Sequence, residues 1–248
     1  MPEPLGVQLY TVREALATDR DAALRRIADI GYTAVEPYDP TNDPEGFRRL
    51  VDELGLTVPA IHAIALLRDD EPGPVLDAVN TIGTELAIVP AGIAQEDFTS
   101  RDGIARAAEL LNRLAETAAG HGIQLGYHNH WWELEPVIDG RHALEHLAEL
   151  LDPAVFLEVD TYWAALGGAD VPRLLTDLGD RVRALHVKDG PLTRDGAHLA
   201  VGAGRMPVPE VLAAAPDALR IVELDSCDTD LFEALAASRA YLTTLESA

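Results

Sequence analysis

Cysteine is almost missing from this sequence: Cys227 stands alone among 248 residues. One thiol forms no internal disulfide and no cysteine metal cluster. Long apolar runs are missing as well. No stretch of about 18 apolar residues occurs, so no membrane-spanning helix is expected. The opening residues, MPEPLGVQLY, hold no basic segment followed by an apolar run and read as mature protein rather than a signal peptide. These absences together point to the cytoplasm. Basic residues are scarce too, 19 against 42 acidic ones, for a net charge of −23. A chain this acidic repels phosphate backbones unless it carries a basic patch. Its densest arginines, Arg25, Arg26, Arg48 and Arg49, fall on expected helices and read as solvated faces. Neither nucleic acid nor membrane is an expected partner.

What is present is enough apolar material for a large core, 48% of the chain. Eight short apolar, β-branched runs recur along it: 5–10, 33–38, 57–63, 86–91, 123–130, 155–160, 182–189 and 219–225. Between most of them lie helix patterns. Residues 21–30 place Leu24, Ile27 and Ala28 at helical spacing before Gly31, and 101–122 is the longest such segment. Further helices are expected over 139–151, 170–179 and 228–245, each with an aspartate near its start as a cap. Alternating strands and helices imply a parallel sheet buried on both faces. Eight such units match a closed (β/α)8 TIM barrel. The rival, a doubly wound open sheet, wants a glycine-rich fingerprint after its first strand, and Leu9-Tyr10-Thr11-Val12-Arg13 provides none. No linker or shift of composition divides the chain, so residues 1–248 read as one domain.

Active sites of such barrels collect at the C-terminal ends of the strands. Here those ends carry polar residues: Glu36, His62, His128 and His130, Glu158 and Asp160, His186, Lys188 and Asp189, and Glu223 and Asp225. Each alone has an ordinary explanation, a hydrogen-bonded core histidine or a helix-capping aspartate. The same event at six of eight strand ends points to chemistry, because burying such groups unpaired costs several kcal/mol. Side chains alternate along a strand, so His128 and His130 share a face. Taking one ligand per strand gives His128, Asp160, His186 and Glu223. Mixed imidazole and carboxylate ligands suit one divalent ion, Mn²⁺, Zn²⁺, Co²⁺, Fe²⁺ or Mg²⁺, whereas Ca²⁺ prefers oxygen alone. The same residues also suit an acid–base cluster without metal.

At these residues the chain resembles the xylose isomerase-like barrels, the broad sugar phosphate isomerase/epimerase group. The likeness runs through GVQLYTVRE, GYTAVEPYD, YHNHWWEL, LEVDTYWAALGGAD, LHVKDG, VGAGRMPVPEVL and IVELDSCD. It implies a divalent ion held by one ligand from each of four successive strands, with Asp160, His186 and Glu223 at the Asp, His and Glu positions. The fourth position is a glutamate in the ketose 3-epimerases and is His128 here. The ending with two histidines, together with VDTYWAALGG and HVKD, is closest to the inosose dehydratase-like branch. The resemblance therefore implies a metal-dependent sugar isomerase or epimerase. The second reading is a dehydratase acting on an inosose or keto sugar. Both begin by removing a proton next to a metal-polarised carbonyl, with Glu223 as base.

Other residues receive supporting roles. Lys188 is expected to hold a substrate oxygen or phosphate, with an ion pair to Glu158 or Asp189 as the alternative. His130 and Glu133 are candidate acid–base or substrate groups. Trp131 and Trp132 are expected to wall the pocket or to pack at a subunit contact, and Glu36 and His62 to line it. Gly202-Ala203-Gly204-Arg205 reads as a loop over the site rather than a phosphate loop. The expected ligand is a small sugar or cyclitol, and a homo-oligomer is possible. Two rivals rank lower. An apurinic-site endonuclease of the same barrel type needs three zinc ions and a cationic DNA face. A non-catalytic sugar-binding barrel is the other.

Overall fold

The computed structural model describes residues 5–68 and 71–246. Eight parallel strands form the barrel: β1 Leu5–Gln8, β2 Ala34–Glu36, β3 Ile61–His62, β4 Leu86–Val89, β5 Gln124–His128, β6 Phe156–Asp160, β7 Val182–Val187 and β8 Leu219–Val222. Their hydrogen-bonded order is β2-β1-β8-β7-β6-β5-β4-β3. Between β2 and β3 no full ladder forms. The seam is drawn together by Val35 N–H to Thr57 O, Thr57 N–H to Thr33 O and His62 N–H to Pro37 O, each 2.9 Å. Proline explains why several strands are shorter than the apolar runs that announce them. It has no N–H for a ladder, so β2 stops before Pro37, β4 before Pro90, and Pro59 trims the run that yields β3.

The helices are α1 Arg13–Thr18, α2 Arg20–Ile30, α3 Pro44–Leu54, α4 Gly73–Ile82, α5 Arg101–Gly120, α6 Ala143–Leu150, α7 Thr161–Leu166, α8 Val171–Leu178, α9 Val208–Ala214 and α10 Leu231–Glu246. Their caps follow from sequence. Asp19 accepts the Ala22 N–H at 3.0 Å, and Ser100 accepts that of Gly103 at 3.1 Å. Gly31 ends α2 at φ 99°, a conformation glycine adopts without strain. One expected helix starts late. Asp139 and Gly140, at φ 51° and 81°, form the two-residue turn of a small hairpin that pairs Val137 with His142 and Ile138 with Arg141. Only then does α6 begin, with the Glu145 carboxylate accepting the His142 N–H at 2.8 Å. No helix among the described residues is long and apolar enough to cross a membrane.

Strand alternation stacks the barrel interior in layers. At the bottom the Phe156 ring packs with Ala60 and Ile88. A Cβ on Gly126 would come within 2.5 Å of that ring, so β5 needs glycine there. Two residues further along every strand but β4, where Pro90 follows Ile88, the interior turns polar.

Candidate metal centre and active site

The middle layer holds Gln8 of β1, Glu36 of β2, His62 of β3, His128 of β5, Glu158 of β6 and His186 of β7. Glu36, Glu158 and His186 are wholly buried, and His62 is 6% exposed. Gln8 Nε2 donates to Glu36 Oε2 at 2.6 Å. His186 Nε2 lies 2.7 Å from the same oxygen. His62 Nε2 and His128 Nδ1 lie 2.6 and 3.0 Å from Glu158 Oε2. Burial, with the Glu158 charge adding to it, pushes the Glu36 carboxyl up to about 7. Burial also acts to raise Glu158, but His186 and His62 outweigh it and hold this carboxyl well below the usual range.

Above lies the layer of Asp160, His130, Lys188, Glu223 and Asp225. Asp160 ends β6, and its Oδ1 caps α7 by accepting the Trp163 N–H at 2.9 Å. Its Oδ2 is buried and accepts no hydrogen bond of good geometry. Lys188 Nζ sits 2.9 Å from that oxygen, 2.7 Å from Glu223 Oε2 and 2.8 Å from Asp225 Oδ2. These are the lysine's ion-pair partners; Glu158 and Asp189 are not. Burial works against its charge, but Asp160, Asp225 and Glu223 prevail and hold the ammonium well above its ordinary value. Burial lifts Asp160 to about 6 even beside Lys188. Glu223 is held well below the usual carboxylate range, because Lys188 and His186 outweigh its burial.

Ligand-type atoms of Asp160, His186 and Glu223 lie within 4.8 Å of one another, as do those of His62, His128, Glu158 and His186. His186 Nδ1 is 2.7 Å from Glu223 Oε2, and His128 Nε2 is 3.8 Å from Asp160 Oδ2. An unbonded carboxylate oxygen, a second carboxylate and two imidazole edges therefore meet at the level of Asp160 and Glu223. That donor set fits a divalent ion with mixed nitrogen and oxygen ligands.

A cavity of about 430 Å³ opens onto this layer. Strands β5 to β8 and the turns after them supply a polar wall: His128, His130, Lys188, Glu223 and Asp225, with Trp163 beside them. The turns after β1 to β4 supply Tyr10, Arg13, Tyr38, Ile64, Pro90 and Ala91. His62 reaches the cavity, whereas Glu36 lies beneath it. Trp131 and Trp132 stand behind the wall rather than in it. Trp132 stacks on His130 at 4.1 Å and 9°, and Trp131 packs against Trp163 at 4.9 Å. Glu133 also faces away. It accepts the Tyr127 hydroxyl at 2.6 Å and the His130 N–H at 2.8 Å, and burial raises it to about 7. Gln8, Tyr10, Tyr38 and Trp163 are the site residues that the sequence pattern did not single out. Parity was the signal for Gln8, on the inward face of β1; Tyr10 lies in the 3-10 turn Leu9–Val12 that follows, and Trp163 follows Asp160 by one helical step.

The 202–205 turn does not lie free over the cavity. Asp189 Oδ2 accepts the N–H groups of Gly202 and Gly204 at 2.9 and 3.0 Å, and Oδ1 accepts those of Gly190 and Met206 at 2.8 and 3.0 Å. Gly204 is needed for proximity: a Cβ there would fall 2.1 Å from Asp189 Oδ1.

Fold and strand-end residues together define a (β/α)8 barrel with a cluster of ligand-type side chains at the C-terminal ends of its strands. The chain belongs to the xylose isomerase-like TIM barrel family, which it matches over residues 24–218. An inosose dehydratase of Geobacillus kaustophilus is 27% identical over 201 residues, which cover 68% of this chain and 62% of that enzyme. The match thus spans less than two thirds of the dehydratase's own length. Among solved structures, a sugar phosphate isomerase/epimerase from Parabacteroides distasonis superposes with a TM-score of 0.81 at 24% identity, covering 98% of this chain and 94% of the other. A xylose isomerase-like barrel from Mycobacterium smegmatis, solved with magnesium, gives 0.70 at 16%, covering 98% and 96%.

Proposed function

We propose that this protein is a divalent-metal-dependent enzyme that removes a proton next to the carbonyl of a keto sugar or keto-cyclitol. The observation that carries the reading is the convergence of Asp160, His186 and Glu223 at the floor of a cavity rich in polar groups. These three residues, with His128 at their edge, would hold the ion; Mn²⁺, Zn²⁺, Co²⁺, Fe²⁺ and Mg²⁺ all suit the donor set. When bound, the ion polarises the substrate carbonyl and so acidifies the neighbouring C–H bond. Glu223 reaches the cavity, is held ionised by Lys188 and His186, and takes that proton. Lys188 holds the developing charge or supplies a proton to a departing hydroxide. Trp163 and Tyr10 enclose the ligand and exclude water.

Of the two outcomes that share this first step, the geometry supports dehydration better. Epimerisation returns a proton from the opposite face, the side of β5. The carboxylate carried by the turn after β5, Glu133, is turned away and bound to Tyr127. The imidazoles on that side, His128 and His130, are both kept from carrying a proton by burial, which lowers their pKa strongly. Isomerisation or epimerisation is the second reading. It is favoured by Lys188, a protonated group that reaches the same cavity and could deliver the returning proton.

The test is a panel of keto-cyclitols, ketoses and 3-keto-glycosides incubated with protein and Mn²⁺ in D₂O and followed by NMR. Loss of the hydrogen next to the carbonyl with a 1,2-diketone or its enol, a 2-hydroxyenone, as product is the expected result. A stereoisomer or an aldose/ketose partner carrying one deuterium supports the second reading. Turnover that neither exchanges nor loses that hydrogen removes Glu223 as base and leaves it a ligand.

A further inference from the structure

The middle layer contains more hydrogen-bonding groups than a ligand set needs, and their arrangement is restrictive. A carboxylate oxygen offers two lone pairs. Glu36 Oε2 has two near donors, Gln8 Nε2 at 2.6 Å and His186 Nε2 at 2.7 Å. The Gln8 amide cannot be flipped without loss, because its oxygen accepts the Tyr10 N–H at 3.1 Å. Glu158 Oε2 also has two near partners, His62 Nε2 at 2.6 Å and His128 Nδ1 at 3.0 Å, while His186 Nε2 lies further off at 3.2 Å. These two oxygens take all four close contacts, while Glu36 Oε1 and Glu158 Oε1 are buried without a partner among the described residues. His128 therefore carries its hydrogen on Nδ1, whereas His186, with Nε2 2.7 Å from Glu36 Oε2 and Nδ1 2.7 Å from Glu223 Oε2, donates from both nitrogens. In each ring the opposite nitrogen faces the upper layer: His128 Nε2 towards Asp160, His186 Nδ1 towards Glu223.

We propose that Glu158 and Glu36 are the positioning carboxylates of this centre. Each takes the N–H of one imidazole and thereby turns that ring's other nitrogen towards Asp160 and Glu223, in His128 as a lone pair. Neither touches substrate; both lie beneath the cavity. The arrangement deepens the metal reading above and rests on it for its purpose, though not for its geometry. A buried carboxylate behind a ligand histidine fixes its tautomer and raises its basicity, and losing such a partner weakens metal affinity by roughly 10- to 100-fold. It also explains why a barrel carries two fully buried glutamates below its reaction floor, where they offer nothing to a substrate.

The geometry makes a sharp statement about His128, because free histidine prefers its hydrogen on Nε2. The whole protein, labelled with ¹⁵N-histidine and stripped of metal, should show His128 in the Nδ1–H form in long-range ¹H–¹⁵N spectra. Finding it in the Nε2–H form overturns the proposal whatever the metal does. Glu158→Gln keeps an acceptor without the charge, and Glu158→Leu removes both. Titration with Mn²⁺ should show about one equivalent bound, with affinity reduced 10- to 100-fold in Glu158→Gln, reduced further in Glu158→Leu, and recovered in part by Glu158→Asp. Equal affinity in all four proteins overturns the proposal. So does a second equivalent that disappears in His62→Ala, since the middle layer would then be a cation site itself. If no metal binds but His128 holds the Nδ1–H form, the orientation stands and the metal reading falls.

Discussion

Asp160 divides its two oxygens between fold and site. Oδ1 caps α7, and Oδ2 faces Lys188 and the ligand set. The two tasks separate by substitution. Asp160→Asn keeps an oxygen for the cap but loses the charge, whereas Asp160→Ala loses both. Turnover and Mn²⁺ binding should vanish in both variants with the fold intact. Only the alanine variant should also lose about 1 kcal/mol from the missing cap, read from denaturant midpoints. If either variant keeps wild-type rates, Asp160 is a cap and nothing more. The same residues set a pH dependence. Asp160 is lifted to about 6, and His186 is held well above its ordinary value because Glu158 and Glu223 outweigh the opposing effect of burial. Both protons must leave before an ion is held, so binding releases protons and affinity rises with pH. One proton per ion gives tenfold per pH unit. From about pH 7.5 to about 5.5 the Mn²⁺ affinity should fall by roughly two orders of magnitude. Calorimetry in buffers of different ionisation enthalpy counts the protons directly, and a flat profile would show that the ion avoids these two ligands.

At the scale of elements, the loop after β7 depends on one carboxylate. Asp189 gathers four backbone N–H groups across residues 190–206. An amide in its place presents an NH₂ group to donors that need an acceptor. Asp189→Asn should therefore cost about 2 kcal/mol and open the 190–206 segment to limited proteolysis, with the strands unaffected. Resistance equal to wild type would mean that Tyr162 and Ser238, which also bond the segment at Leu192 and Val201, suffice alone. This carboxylate illustrates what a sequence shows and what it hides. Strand positions and the strand-end cluster were legible, because period-two alternation puts Glu158 with Asp160 and His186 with Lys188 on one face. The job of each group was not legible. That Lys188 meets Asp160 rather than Asp189, that Glu133 turns outward to Tyr127, and that Trp163 rather than Trp131 walls the cavity are decided by contacts between elements far apart in the chain. The start of α6 was misplaced for a local reason: Asp139-Gly140 fits a hairpin turn as well as a helix cap.

For the molecule as a whole, eight repeats of strand and helix made the barrel legible: parallel strands buried on both faces leave a closed barrel or a doubly wound sheet, and the glycine-rich fingerprint of the latter is missing after β1. The charge is the property the fold does not explain. With 42 acidic and 19 basic residues, the surface repels itself, and its ion pairs are mostly exposed arginine–carboxylate contacts that contribute little each. Self-repulsion is long-ranged and screened by salt, over about 10 Å at 0.1 M. Raising NaCl from about 0.02 M to about 0.5 M should therefore raise the melting temperature of the metal-free protein, because screening relieves more repulsion than it removes from exposed pairs. A melting temperature that falls with salt would mean that the ion pairs dominate instead. The same charge governs partners. Binding to DNA is driven by releasing counterions from phosphates that cationic side chains neutralise. A net charge of −23 opposes that release at every distance where the two molecules sense each other. Fluorescence anisotropy with a labelled duplex, intact or containing an abasic site, should show no binding at about 0.15 M salt and none at lower salt, where a cationic groove would reveal itself. Micromolar affinity that weakens steeply with salt would require a local basic surface and would move the lower-ranked endonuclease reading ahead of the sugar enzyme.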